Sequence, residues 1–228
     1  MSAAATRFAS DAATRAAVTR VCRLLSARAL VAGADGNVSV RLPFDRVLVT
    51  PSGGSKREVR PGTLVEVALA DGRRLSGVGR PSSELAMHLA IYRSRPDVSA
   101  IVHAHPPAAT AFAVAGEPLP DGVLPELACA VGPVALVPYF TPGTPEAAAA
   151  FAPFLAEHDA FLMANHGATT VGASIEAAHL RMESLEHAAR ILLAARLLGR
   201  VPPLTAAQVA ALPVPRRRPA EGGGAPAR

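Results

Sequence analysis

His103 and His105, in the run AIVHAH, are two imidazoles at i and i+2 after an apolar, β-rich lead-in. Side chains alternate faces along an extended strand, so both rings fall on one face and can hold one ion. The same pair also occurs with its rings satisfied by backbone carbonyls or set side by side near a turn, so other residues must decide. His166 offers a third imidazole at the end of a short apolar strand. Three imidazoles match a catalytic zinc site rather than a structural one, because three protein ligands leave a position open for substrate. Glu84, in the run PSSE, supplies a carboxylate for acid/base work. An acid in a first helical turn also stabilises the helix, by about 0.3–1 kcal/mol through the dipole. His88 lies four residues further on the same helix face and makes a rival Glu-x-x-x-His pair. We read it as a packing or supporting residue, since the strand histidines have a better third partner in His166.

Two hydroxyl-rich stretches are candidate anion seats. Thr50 to Ser55, TPSGGS, follows a strand, and such a loop can turn backbone N–H groups and hydroxyls toward an anion, although an ordinary tight turn has the same composition. Ser82 and Ser83 stand at a helix start, where free N–H groups and the helix dipole favour negative charge. Simple capping explains them equally well. Asp35, just before the run GNVSVR, is an acid unhelpful to a phosphate.

These residues need elements to position them. Val18, Val21, Leu24 and Leu25 recur at helical spacing and predict a first helix from about Ser10 to Leu30. Val38, Val40 and Leu42 alternate with polar residues, then Pro43 and Asp45 turn the chain into Val47 to Val49, which reads as a hairpin. Leu64 to Leu69 and Arg73 to Val78 read as strands joined by Asp71-Gly72. Arg80 to Pro96 holds a helix capped by Ser82 or Ser83, and Ala100 to His105 is a strand. A short helix, Ala108 to Val114, follows. Gly116 to Pro145 is expected as loops with short strands, including Ala135 to Pro138. Pro145 to His158 reads as an Ala-rich helix, Ala160 to Ala164 and Thr169 to Gly172 as strands. Ser174 caps the longest helix, which runs to about Leu198 and carries His179 and His187 as packing or surface residues. Beyond Pro202 the chain is rich in Pro, Arg, Gly and Ala and is expected to be poorly ordered. Residues 1–200 are expected to form one domain and 201–228 a tail.

Composition excludes several classes. At 228 residues, half of them hydrophobic, the chain can bury a sizeable core. Cys22 and Cys129 are far apart in apolar surroundings, which fits a reducing compartment rather than a disulfide framework. The net charge is +5, yet Arg216, Arg217, Arg218 and Arg228 against Glu221 put +3 of it in the last sixteen residues. With no Trp, and Phe and Tyr not interleaved with basic residues, the stacking pattern of single-strand nucleic-acid binders is missing. The N-terminus shows no apolar core with a cleavage signature, and no run reaches membrane-spanning length. A cytoplasmic protein binding neither membrane nor nucleic acid is expected.

Six blocks, in order, carry a resemblance: GNVSVR (Gly36 to Arg41), TPSG (Thr50 to Gly53), PSSE (Pro81 to Glu84), RPDVSAIVHAHP (Arg95 to Pro106), YFTPGT (Tyr139 to Thr144) and NHGATTVG (Asn165 to Gly172). From about Arg15 to Gly199 the chain resembles the class II aldolase and adducin head family, and within it most resembles aldolases of L-fuculose 1-phosphate. The resemblance implies an α/β fold, three-layer α/β/α with a central, mostly antiparallel sheet, and a cyclic homotetramer with sites at subunit interfaces. It implies Zn²⁺ on His103, His105 and His166, with Glu84 near the metal. It also implies a phosphate seat of Asn37, Ser52, Gly53, Ser82 and Ser83, and catalytic roles for Glu84 and Tyr139.

The implied activity is that of a metal-dependent aldolase, an aldehyde-lyase cleaving a small ketose 1-phosphate to dihydroxyacetone phosphate and an aldehyde through an ene-diolate. Glu84 would move the proton at the ene-diolate carbon. Lys56, the only lysine, sits in a loop with no apolar pocket evident, which agrees with a metal mechanism over a Schiff base. The tail lacks the tyrosine that fuculose-type aldolases use at the aldehyde end. The alternatives are a sugar-acid phosphate decarboxylase or a pentulose phosphate 4-epimerase on the same metal site; Glu84 disfavours the epimerase, whose members tend to carry Asp there. A non-enzymatic adducin-like module comes last, because such heads lack the three histidines.

Overall fold

Alternating strands and amphipathic helices can bury both faces of a sheet only by sandwiching it between helical layers. The computed structural model, which describes residues 11–120 and 122–213, has this arrangement. Its eight strands are β1 (Asn37–Leu42), β2 (Arg46–Val49), β3 (Val65–Ala68), β4 (Arg74–Ser76), β5 (Ala100–Ala104), β6 (Val134–Val137), β7 (Ala160–Met163) and β8 (Gly167–Gly172). They form one sheet in the order β4-β3-β2-β1-β5-β8-β7-β6. Every pairing is antiparallel except β6 with β7, so the expected α/β/α architecture with a mostly antiparallel sheet holds.

The helices are α1 (Asp11–Ala27), α2 (Leu85–Ser94), α3 (Pro107–Ala115), α4 (Pro125–Ala130), α5 (Glu146–Phe151), α6 (Ile175–Leu198) and α7 (Ala206–Ala210). Period-two alternation sorts the strand residues between two apolar layers. Val38, Leu48, Val102, Leu162 and Ala168 pack with α1, α3, α4 and α6. Val47, Val65, Ile101, Phe161 and Val171 pack with α2 and α5. Each fully buried Leu, Ile or Phe contributes about 1.5–3 kcal/mol, so both layers hold the sheet firmly.

Several elements differ from the sequence expectation. The helix expected from Pro145 to His158 is helical only over Glu146–Phe151, and Gly116 to Pro145 contains a helix, α4, opened by Pro125. α1 ends at Ala27, short of Leu30. Neither Ser82 nor Ser83 caps α2: Glu84 occupies the N-cap position without a side-chain cap bond, and Ser82 Oγ accepts from the Glu84 backbone N–H at 3.3 Å. The carboxylate is turned toward the sheet instead of along the helix. Of the stretch beyond Pro202, Thr205 and Gln208 form a capping box that starts α7. Residues 214–228, with the Arg216 to Arg218 cluster, lie outside the described residues.

Two buried charges brace the segments that carry the histidines. Glu186 on α6 accepts from the Ala108 and Ala109 N–H groups at 3.0 and 2.9 Å, fixing the start of α3 just after His105. Arg95, at the end of α2, binds Asp97 at 2.6 Å, Asp159 at 2.9 Å and the Leu155 carbonyl at 2.8 Å, tying α2 to the entry of β7.

Candidate active site

Asn37 on β1, His103 on β5 and Thr169 on β8 are register partners across three neighbouring strands. All three face α2, and the start of α2 brings Glu84 above them. His103 is fully buried, and its Nδ1 donates to the Ala168 carbonyl at 2.9 Å, which leaves the Nε2 lone pair aimed into the site. His105 stands one residue past the end of β5 instead of within it, held by its N–H to the Leu30 carbonyl at 3.0 Å. Its ring still turns to the same side as His103. His166 sits in the three-residue turn between β7 and β8, where Asn165 adopts φ +57°, a left-handed conformation Asn tolerates better than most residues.

The three rings meet with centroids 4.9–5.0 Å apart, and one ligand atom from each lies within 4.8 Å of the others. His103 and His105 place their Nε2 atoms 3.1 Å apart. Glu84 Oε2 lies 3.1 Å from His103 Nε2, and Oε1 lies 3.4 Å from His166 Nε2. Glycine permits this crowding at two places. A Cβ on Gly36, which has φ +72°, would sit 2.7 Å from the His103 carbonyl, and one on Gly167 would sit 2.6 Å from His105 Cδ2.

Burial sets the charge states. It pushes the His166 pKa down to about 4 and lowers that of His105, in both cases aided by His103 and opposed by Glu84 and Asp35. For Glu84, burial raises the pKa, but His103, His166 and the Asn37 amide outweigh it and hold the carboxyl below the usual carboxylate range. The result is two imidazoles of lowered basicity, His105 and His166, converging with His103 and the Glu84 carboxylate on one point. Among the described residues, Glu84 Oε1 and His166 Nδ1 are buried with no hydrogen-bond partner. Lone pairs crowded in this way fit a cation, and the donor set suits a divalent transition metal better than Ca²⁺ or Mg²⁺.

A cavity of about 240 Å³ opens beside the histidines. Asn37, Ser52, Gly53, Ser82, Ser83, Glu84, His105 and His166 all line it. The TPSG and PSSE runs form adjacent walls because Ser52 N–H donates to the Arg80 carbonyl at 3.0 Å and Ser82 N–H to the Thr50 carbonyl at 3.1 Å. Tyr139 does not join them: its side chain is 61 % exposed, and Pro142 is what the YFTPGT run gives to the wall.

Three residues play larger parts than their sequence context suggested. Lys56 is 2 % exposed instead of lying free in a loop, and its ammonium donates to the Ala34 and Gly54 carbonyls at 2.9 and 3.0 Å in the cavity wall. Burial lowers its pKa, opposed by Cys22, Asp35 and Glu84. Asp35 lies 3.5 Å from His105 Nδ1, where a carboxylate orients a ring more than it repels an anion. His88 is fully buried and bonds Asn37 and Ser39. The only signal for it in the sequence was its spacing of four from Glu84.

Residues 16–193 match the family described as Class II Aldolase and Adducin N-terminal domain. The chain belongs to that family. Among curated relatives of this class II aldolase-family chain, the 3-oxo-tetronate 4-phosphate decarboxylase of Escherichia coli (strain K12) is 37 % identical over 204 residues, covering 87 % of this chain and 94 % of the relative. The L-fuculose phosphate aldolase of Methanococcus maripaludis is 35 % identical over 172 residues, covering 75 % of this chain and 92 % of the relative. Among solved structures, YgbL from Escherichia coli superposes with a TM-score of 0.82 at 34 % identity, covering 89 % of this chain and 98 % of that one. Both named activities act on small sugar phosphates.

Proposed function

We propose that this chain is a zinc-dependent decarboxylase of a short 3-oxo sugar-acid phosphate, the alternative rather than the first reading of the sequence. The observation that carries it is the decarboxylase relative's 37 % identity across 87 % of the chain, against 75 % coverage for the aldolase relative. Both reactions need the same machinery. Loss of CO2 or of an aldehyde leaves an electron pair on a carbon beside a carbonyl, and both end by protonating that carbon to give dihydroxyacetone phosphate. They differ in the leaving group, and the chain has no tyrosine after Tyr139 with which to handle an aldehyde.

His103, His105 and His166 would hold the metal, which supplies a Lewis acid for the developing oxyanion. Glu84 faces the same cavity and is the candidate for moving the proton at the reacting carbon. Asn37, Ser52, Gly53, Ser82 and Ser83 offer hydroxyl and N–H donors for the phosphate, with the Lys56 ammonium in the same wall. We place the protein in the cytoplasm, in keeping with two free cysteines. We also take it to be a homotetramer, in which Tyr139, exposed and absent from the lining of its own chain's cavity, would serve a site shared with a neighbouring copy.

The test is to incubate the protein with 3-oxo-tetronate 4-phosphate, with a chelator and after zinc is restored, following CO2 and dihydroxyacetone phosphate. Zinc-restored CO2 release is the expected result. Absence of CO2, alongside zinc-dependent condensation of dihydroxyacetone phosphate with an aldehyde, would overturn it in favour of the aldolase, the reading that the Methanococcus relative supports.

A further inference from the structure

Behind Glu84, away from the cavity, polar side chains run in single file into the apolar layer between the sheet and α2. Tyr92 Oη lies 2.9 Å from Ser39 Oγ, and Ser39 Oγ lies 2.6 Å from His88 Nδ1. His88 Nε2 meets Asn37 Oδ1, and Asn37 Nδ2 donates to Glu84 Oε2 at 2.7 Å. None of the five residues is more than 9 % exposed, and Met87, Ile91 and Ile101 are buried in the same layer. Burying this many polar groups is tolerated only when each is matched, and an apolar filling of the same shape would fold as well.

Matching fixes every proton. Asn37 Nδ2 donates to Glu84 Oε2, so the same amide presents its carbonyl oxygen to His88 Nε2. His88 must therefore carry its proton on Nε2. Burial pushes its pKa down to about 3, so the ring is neutral and Nδ1 is an acceptor. Nδ1 takes the Ser39 proton, and Ser39 in turn takes that of Tyr92. All donors in the file point toward Glu84, and the order has no second solution. At its end, Oε2 is held by Asn37, whereas Oε1 has no hydrogen-bond partner among the described residues and belongs to the carboxylate that lines the cavity.

We propose that His88 is a positioning residue for proton transfer: by locking the Asn37 amide it clamps Glu84 through Oε2 and keeps Oε1 as the oxygen that exchanges a proton with the substrate carbon. The inference rests on the carbanion chemistry proposed above. Without His88, the Asn37 amide can turn its oxygen toward Glu84, which repels the carboxylate and rotates it.

The test has three parts. In His88→Leu, kcat for decarboxylation and for proton exchange into dihydroxyacetone phosphate in heavy water should fall about 10–100-fold, the cost usual for losing a residue that orients a catalytic group. KM and bound zinc should stay near wild type. In His88→Gln, whose side-chain N–H can reach Asn37 Oδ1, most of that loss should be restored. Equal losses in both variants, tracking their melting temperatures, would overturn the proposal, as would a wild-type rate in His88→Leu. Should His88→Leu fail to fold, Ser39→Ala removes the donor that anchors the His88 ring at Nδ1, lets the ring turn off Asn37 and should lower kcat several-fold at unchanged KM; no loss there overturns the proposal. Independently of any activity, the 15N shifts of His88 in the wild type should report a neutral ring protonated on Nε2, and protonation on Nδ1 overturns it. A wild type without zinc-dependent turnover removes the functional reading instead, and the tautomer then decides the orientation of the file alone.

Discussion

Asn37 and His103 are register partners on β1 and β5, and both reach Oε2 of Glu84, at 2.7 Å and 3.1 Å. The strand pairing itself therefore decides where the carboxylate sits. A slip of one residue would send Asn37 and His103 to opposite faces of the sheet and dismantle the site.

His105→Ala should lower bound zinc, measured by elemental analysis after gel filtration, well below one per chain. Three imidazoles make the donor set, and removing one leaves two nitrogens for a metal that takes three or four protein ligands. Full retention would remove His105 from the site.

Glu84→Gln should keep its zinc but slow proton exchange at the reacting carbon by about 10²–10⁴-fold, the range that general acid–base catalysis supplies. The amide is nearly the same shape but cannot take a proton at Oε1. Unchanged exchange would mean that another group is the base.

The buried neutral state of His88 predicts an acid-side loss of stability. Its folded pKa, about 3, lies below the ordinary histidine value of 6.5, so from pH 6.5 downward the unfolded chain binds a proton that the folded chain refuses. Stability from this residue is present above pH 6.5 and is lost as pH falls toward 3. Between pH 6.5 and 4.5 the loss is roughly 2–3 kcal/mol at 1.36 kcal/mol per unit. Denaturant unfolding of the metal-free protein at both pH values should show it, and His88→Gln should lack that share of the slope. An identical slope in the variant would place the proton uptake elsewhere.

Gly36→Ala should cost about 1–3 kcal/mol through the positive φ alone, before the clash with the His103 carbonyl is added. For a chain of this size, that is a fall in melting temperature of about 2–4 °C per kcal/mol. Metal affinity should fall with it, because the strand that moves carries His103. A variant with unchanged melting temperature and zinc affinity would show that β1 relaxes freely there.

The sequence by itself determined the sheet strands, the cap and length of α6, the histidines as a set, and the TPSG and PSSE runs as candidate walls. These signals are local: period-two alternation, a serine three residues before the N–H it accepts from, and residue types with few alternative chemistries. It misjudged the start of α2, because whether Ser82, Ser83 or Glu84 takes the N-cap depends on what the Glu84 carboxylate meets, and Asn37 and His103 are far away in the chain. It also overextended the helix after Pro145, passing over a stop signal that was present: Pro153 cannot continue a helix and disfavours helical backbone at Ala152, and α5 ends at Phe151. Only the tertiary structure decided that Lys56 is buried, that Tyr139 stands outside its own chain's cavity, and that His88 faces Asn37 across 51 residues of sequence. Partnerships of that range are created when β1, β5 and α2 pack together, and no local pattern of residues encodes them.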